Sequence, residues 1–118
     1  MIDRTYAEKR QSPRAPIGVI VRVETPDGAR HYYSKNLSAG GVFLLAEKPL
    51  EAETQVKLEL FLPLMKTPVR SEGEVAWIQR QEPTGFAVRF TTISDSSREL
   101  IRWVVARYLG EDRLPPGP

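Results

Sequence analysis

The most constraining feature of this 118-residue sequence is the recurrence of apolar residues at every second position in short segments. The clearest runs are residues 56–62, with valine or leucine at each even position, and residues 17–23, with isoleucine or valine at each odd position. Because successive side chains of a strand point to opposite faces, this period predicts strands with one buried face. An amphipathic helix would need apolar residues three or four positions apart.

Residues that favour turns divide the chain into further segments of the same kind. They cluster at residues 25–28 (Thr-Pro-Asp-Gly), 38–41 (Ser-Ala-Gly-Gly) and 82–85 (Glu-Pro-Thr-Gly). Further strands are predicted over residues 30–38, 42–45, 69–79 and 86–90. Five or six strands joined by short turns predict a small antiparallel barrel.

After Phe90 the apolar period changes from two to that of a helix. The positions with helical spacing are Leu100, Ile101, Val104, Val105 and Tyr108. Residues 94–96 (Ser-Asp-Ser) offer N-cap candidates, and Gly110 is expected to end the helix. This helix should cover one open end or flank of the barrel. We expect the large aromatic side chains to lie in the core or between helix and barrel, namely Trp77, Phe86, Phe90 and Trp103.

The two ends of the chain show neither period. We therefore divide the chain into an extended, flexible arm (residues 1–14), a barrel with its helix (residues 15–109) and a proline-rich tail (residues 110–118). The arm carries four basic and two acidic residues, a local charge of +2 with almost no apolar residues. A cationic segment on a nearly neutral body suits a small anion better than a long polyanion.

Composition excludes several classes of function. The chain has no cysteine and a single histidine, which excludes disulfide scaffolds, thiolate zinc sites and multi-histidine metal sites. The net charge of +2 is low for a protein that coats DNA, and binding of single-stranded nucleic acid would need exposed aromatic residues among basic ones. No nucleophile–base pair is visible, so we expect no enzymatic activity. We expect no membrane insertion and a cytoplasmic location, because no apolar run approaches a membrane span and the N-terminus lacks a secretory signal.

Two short motifs carry the chemistry of a binding site. The first is Arg10-Gln11-Ser12-Pro13-Arg14, preceded by Lys9, and the second is Asn36-Leu37-Ser38-Ala39-Gly40-Gly41 at the end of a predicted strand. An arginine side chain can donate two parallel hydrogen bonds to a phosphate or to the O6/N7 edge of guanine. The Asn36 amide can meet a base edge, Ser38 adds a hydroxyl, and the two glycines permit close approach of a ligand.

These motifs resemble those of the PilZ domain family, which has an R-x-x-x-R arm, a D/N-x-S-x-x-G turn and a later G-x-V-x-W segment. Here they are Arg10 with Arg14, then Asn36, Ser38 and Gly41, then residues 73–77. The resemblance implies a six-stranded antiparallel β-barrel with a C-terminal helix that binds the bacterial second messenger cyclic di-GMP. It implies ligand contacts from Lys9, Arg10, Arg14, Asn36, Ser38, Gly40 and Gly41, with no further cofactor and no metal.

Two readings of the function follow from the resemblance. In the first, cyclic di-GMP orders the arm against the barrel and changes a surface that contacts an effector protein. In the second, the chain is a protein-interaction adaptor that does not bind the nucleotide. Asn36, where many members have aspartate, and Lys9, where many have arginine, keep the second reading open. The sequence leaves open whether the chain forms a homodimer.

Overall fold

The structure is a computed structural model that describes residues 13–110, and this part of the chain forms six strands and one helix. The strands are β1 (Ile20–Thr25), β2 (Gly28–Ser38), β3 (Gly41–Leu45), β4 (Gln55–Leu60), β5 (Val69–Gln79) and β6 (Gly85–Thr92). The helix, α1, is Asp95–Tyr108.

The six strands close into a barrel in the order β1-β2-β3-β6-β5-β4, and every neighbouring pair is antiparallel. The alternation seen in the sequence fills the interior, since Val56, Leu58 and Leu60 of β4 are all buried. Phe86 of β6 is fully buried and meets the ring of Tyr32 edge-on. The predicted six-stranded antiparallel barrel is confirmed.

The first strand begins later than its apolar pattern suggests. Ile17 and Val19 are buried as predicted, but regular pairing starts only at Ile20. The reason is a side chain from the neighbouring strand: the Ser34 hydroxyl accepts a hydrogen bond from the Val19 N–H (2.8 Å) and donates one to the Ile17 carbonyl oxygen (2.6 Å). A side chain thus takes the place of two backbone ladder bonds, while burial of the alternate side chains continues.

The expectation that Trp77 packs in the core is wrong. The pairing of β5 with β6 shifts between Val75 and Trp77, so an extra residue enters β5 there. Such a bulge turns the following side chains to the other face of the strand. Val75 stays buried, whereas Trp77 is 43% exposed. Phe86 and Phe90 are buried as predicted.

The helix begins and ends where its capping residues predict. The Ser94 hydroxyl accepts a hydrogen bond from the Ser97 N–H (3.1 Å), which satisfies one of the free donors of the first turn. Gly110 follows the helix with φ +83°, a conformation that glycine adopts without strain. Ile101, Val104 and Val105 pack into the barrel core. Across residues 13–110, no helix combines the length and apolar character needed to cross a membrane.

Candidate functional site

The structure places the end of the arm directly beside the second motif. Ala15 and Leu37 form a two-residue antiparallel bridge, in which the Ala15 N–H donates to the Leu37 carbonyl (3.0 Å) and the Leu37 N–H donates to the Ala15 carbonyl (2.9 Å). In the register of this bridge, Arg14 lies opposite Ser38. Ala15 and Leu37 are fully buried, so their neighbours Arg14 and Asn36 belong to the outer face of the barrel wall.

Asn36 is the motif residue most available to a ligand. It is half-buried, and its side-chain amide makes no hydrogen bond to any part of the chain between residues 13 and 110. The pairing of β2 with β3 shifts between Ser34 and Asn36, which is a bulge at the start of the motif. Bulges are frequent beside binding sites because they re-aim a side chain. The amide therefore keeps both its donor and its acceptor for a partner from outside.

Ser38 and the two glycines build the turn that carries the motif. The Ser38 hydroxyl accepts hydrogen bonds from the N–H groups of Gly40 and Gly41 (3.2 Å each), and it donates to the Gly41 carbonyl (3.3 Å). Ser38 is only 5% exposed. The predicted contact of this hydroxyl with a base stays a prediction, because the turn already occupies its hydrogen-bonding capacity.

Gly41 has a packing role that the sequence did not reveal. A Cβ atom at this position would lie 2.3 Å from the carbonyl oxygen of Val88, a backbone atom of the neighbouring strand. The glycine is therefore required for close pairing of β3 with β6. Gly40 is exposed, and its carbonyl accepts a hydrogen bond from the Phe90 N–H (3.0 Å).

Trp77 lies on the outer wall of the barrel, although sequence reasoning placed it in the core or between helix and barrel. Strand register aligns Asn36 with Phe43, Phe43 with Ala87, and Ala87 with Trp77 across four strands of the barrel wall. The Phe43 and Trp77 rings pack with centroids 5.3 Å apart. The apolar run of residues 76–78 (Ala-Trp-Ile) breaks the alternation of β5, and this is the sequence feature that could have indicated an outward Trp77. Trp77 is thus linked to Asn36 through Phe43, although β2 and β5 lie three places apart in the ring of six strands.

The outward patch made by Arg14 and Asn36 is what this face of the barrel presents to a ligand. It combines a permanent cation with an amide, which are groups that bind a phosphate and a base edge. Lys9 and Arg10, also predicted to bind the ligand, lie outside the described residues. Among residues 13–110 no cluster of three potential metal ligands is present.

A groove of about 510 Å³ lies elsewhere on the barrel, between β1, β4, β5 and the start of α1. Four of its charged residues form ion pairs with one another: Glu59 lies 3.0 Å from Arg70 and 3.8 Å from Arg22, and Arg22 lies 3.2 Å from Glu24. None of the motif residues lines it. We therefore place the candidate site on the outward patch rather than in this groove.

Comparison with known proteins agrees with the geometry. The family model of the PilZ domain matches residues 8–107. A comparison with the curated proteins finds no significant sequence match. The fold is similar to that of the inhibitor of motility MotI/DgrA from Bacillus subtilis, with a TM-score of 0.75 and 19% identity over 95% of this chain and 54% of that one.

Two structures from Escherichia coli are also similar. YcgR in complex with c-di-GMP gives a TM-score of 0.71 and 14% identity over 86% of this chain and 46% of that chain. The PilZ domain of YcgR with c-di-GMP gives a TM-score of 0.66 and 15% identity over 86% of this chain and 92% of that chain. The present chain spans about half the length of MotI/DgrA and of the longer YcgR chain.

Proposed function

The chain belongs to the PilZ domain family, and from this premise we propose that it is a bacterial receptor for cyclic di-GMP. The bridge between Ala15 and Leu37 is the observation that carries the proposal, because it brings Arg14, the last residue of the first motif, next to the second motif. Structures of similar proteins with c-di-GMP support the choice of ligand. Binding, rather than a catalysed reaction, is the activity that we assign.

Each group of the outward patch has a role that its chemistry suits. Arg14 contacts a phosphate or the O6/N7 edge of a guanine, because its planar fork makes two charge-assisted hydrogen bonds there. Asn36 donates to and accepts from a base edge. Beyond the patch, on the far side of Phe43, Trp77 offers its exposed face for stacking of a base. Lys9 and Arg10 add charge to the same ligand from the preceding part of the arm.

The signal then passes through the arm. Residues 1–14 close over the bound ligand because their cations and the phosphates attract each other, and the covered surface differs from the free one. An effector protein that binds only one of these two surfaces would then respond to cyclic di-GMP, which is the adaptor role that we propose. Ordering of the arm on binding is part of the proposal.

Isothermal titration with cyclic di-GMP tests the proposal. We expect saturable heat from the wild type and a loss of about 10- to 100-fold in affinity for Arg14→Ala, since charge-assisted hydrogen bonds stabilise by about 1.5–3 kcal/mol. Arg30→Ala is the matched control: Arg30 is also an exposed arginine, at the other end of β2, and its loss should leave the affinity unchanged. Equal affinities of the two variants would contradict the assigned site.

Tryptophan fluorescence gives a second readout. In a Trp103→Phe variant, Trp77 is the remaining tryptophan, because the chain has two. Stacking of a guanine on Trp77 should quench its emission as cyclic di-GMP is added. Unchanged emission at ligand saturation would remove Trp77 from the site without affecting the role of Arg14.

One observation favours the alternative function, an adaptor that does not bind the nucleotide. The Ser38 hydroxyl is fully used within its own turn, and Asn36 lacks the negative charge of an aspartate. If the wild type gives no heat, the second reading holds, and Asn36→Asp tests whether the missing charge is the cause. Binding gained by this variant identifies a PilZ domain that has lost its ligand, and its continued failure to bind supports the pure adaptor.

A further inference from the structure

The loop between β4 and β5 presents a leucine in a way that folding does not require. The Met65 N–H donates to the Leu62 carbonyl (3.3 Å), which closes a turn with Pro63 and Leu64 at its centre. Leu64 has φ +67°, a left-handed conformation that favours glycine or asparagine at this turn position. Its side chain is nevertheless 91% exposed, so packing does not explain the choice of leucine.

Leu64 follows, by three residues, Phe61, the first member of a row of exposed apolar side chains on the barrel wall. The Phe61 N–H donates to the Ile20 carbonyl (3.1 Å), Ile20 pairs with Tyr33, and Tyr33 pairs with Leu45. These four side chains are between 37% and 61% exposed. Exposed apolar side chains at adjacent positions of neighbouring strands are a feature that marks a contact surface. We call Leu64 and this row the apolar ridge.

The charges around the apolar ridge are positive. Residues 61–70 contain Lys66 and Arg70 and no acidic residue. Glu59, the nearest acid along β4, is held by Arg70 and Arg22. Lys35, beside Tyr33, and Lys66 are exposed, and neither has an ion-pair partner between residues 13 and 110. Beyond Leu45, the opposite charges of residues 47 and 48 cancel.

We propose that the apolar ridge docks on an anionic lipid surface, with Leu64 and Phe61 entering the interface and Lys66 and Lys35 facing the headgroups. A projecting leucine on a turn is convex, and a protein partner would have to supply a matching cavity. The interfacial region of a bilayer accepts such a side chain without one, and lysines beside it gain from anionic headgroups. The docking is peripheral and is independent of cyclic di-GMP.

Flotation of the full chain with lipid vesicles tests this inference. We use vesicles of phosphatidylcholine alone and vesicles of equal parts phosphatidylcholine and phosphatidylglycerol, both without cyclic di-GMP. The wild type should float with the mixed vesicles and not with the neutral ones. Absence of the wild type from the mixed vesicles at low salt would overturn the proposal.

Substitutions assign the binding to the apolar ridge. Leu64→Asn keeps a residue that tolerates positive φ, so it should melt no lower than the wild type, and it should bind the mixed vesicles about tenfold more weakly or worse. Lys66→Gln should weaken binding about fivefold. Leu109→Asn is the control, because Leu109 is an exposed leucine on the helix C-cap and outside the ridge.

Two outcomes would show that the ridge serves something else. If Leu64→Asn floats as well as the wild type, lipid binding arises elsewhere on the protein. If the wild type self-associates in sedimentation experiments without vesicles and Leu64→Asn is a monomer, the ridge contacts a second copy of the chain. Either result overturns the proposal, and neither bears on cyclic di-GMP binding.

Discussion

Replacing Ser34 with alanine removes the tie between the start of the barrel and β2. Ser34 is 3% exposed, and its hydroxyl bonds the Val19 N–H at 2.8 Å and the Ile17 carbonyl at 2.6 Å. The alanine leaves both backbone groups without these partners. Each buried group left unsatisfied costs about 1–3 kcal/mol, so we expect the free energy of unfolding to fall by about 2–4 kcal/mol. Small domains are stable by only about 5–15 kcal/mol.

Urea denaturation followed by tryptophan fluorescence measures this loss, and Ser71→Ala is the matched control. Ser71 is also buried, but its hydroxyl serves only as a donor, with its one proton shared between the carbonyls of Glu72 (2.8 Å) and Thr92 (3.2 Å), so no N–H depends on it. We expect Ser71→Ala to cost about 1 kcal/mol, the net worth of an ordinary hydrogen bond. Equal losses in the two variants would refute the view that Ser34 acts by satisfying the backbone.

Three further changes test separate parts of the fold. Gly41→Ala brings a Cβ to 2.3 Å from the Val88 carbonyl oxygen, and we expect a loss of about 2–4 kcal/mol in urea denaturation, as for overpacked or strained sites. Leu64→Asn should raise the melting temperature by about 2–6 °C in calorimetry, because it relieves about 1 kcal/mol of left-handed strain. Glu74→Gln breaks an exposed 2.8 Å contact with Arg89 and should cost less than about 1 kcal/mol, with a smaller effect at high salt.

Apolar alternation and turn residues were enough to predict most of the barrel. The predicted bounds of β5, residues 69–79, are those of the structure. The predicted helix cap at residues 94–96 includes the observed one at Ser94, because capping depends on a local hydrogen bond. Element bounds that depend only on local hydrogen bonds and on apolar alternation could therefore be predicted from the sequence.

The predictions for Trp77 and for the start of β1 were wrong because both features depend on contacts between strands. Trp77 faces outward because β5 gains an extra residue against β6, and an alternation count within β5 cannot show a bulge that depends on the partner strand. The late start of β1 depends on Ser34, which is 15 residues beyond Val19 along the chain. Both features depend on contacts between residues that are distant in the sequence.

The candidate site was predictable in its residue types and only partly in its geometry. The motifs indicated Arg14 and Asn36, and the structure places both on one face beside the Ala15–Leu37 bridge. The structural use of the Ser38 hydroxyl and the packing role of Gly41 came only with the turn and the β3–β6 contact. Lys9 and Arg10 lie outside the described residues, so their part in the site stays a prediction.

Closure of the six strands has a consequence for how this protein is recognised. Each strand between residues 20 and 92 has a neighbour on both sides of the ring over part of its length, so none of them is an edge strand throughout. Where the strands are paired on both sides, a partner that contacts the barrel wall must recognise side chains. Outward positions can be exchanged without disturbing backbone pairing, so relatives with one architecture can acquire different partners through a few surface substitutions. Structures that superimpose at 14–19% identity are compatible with such divergence.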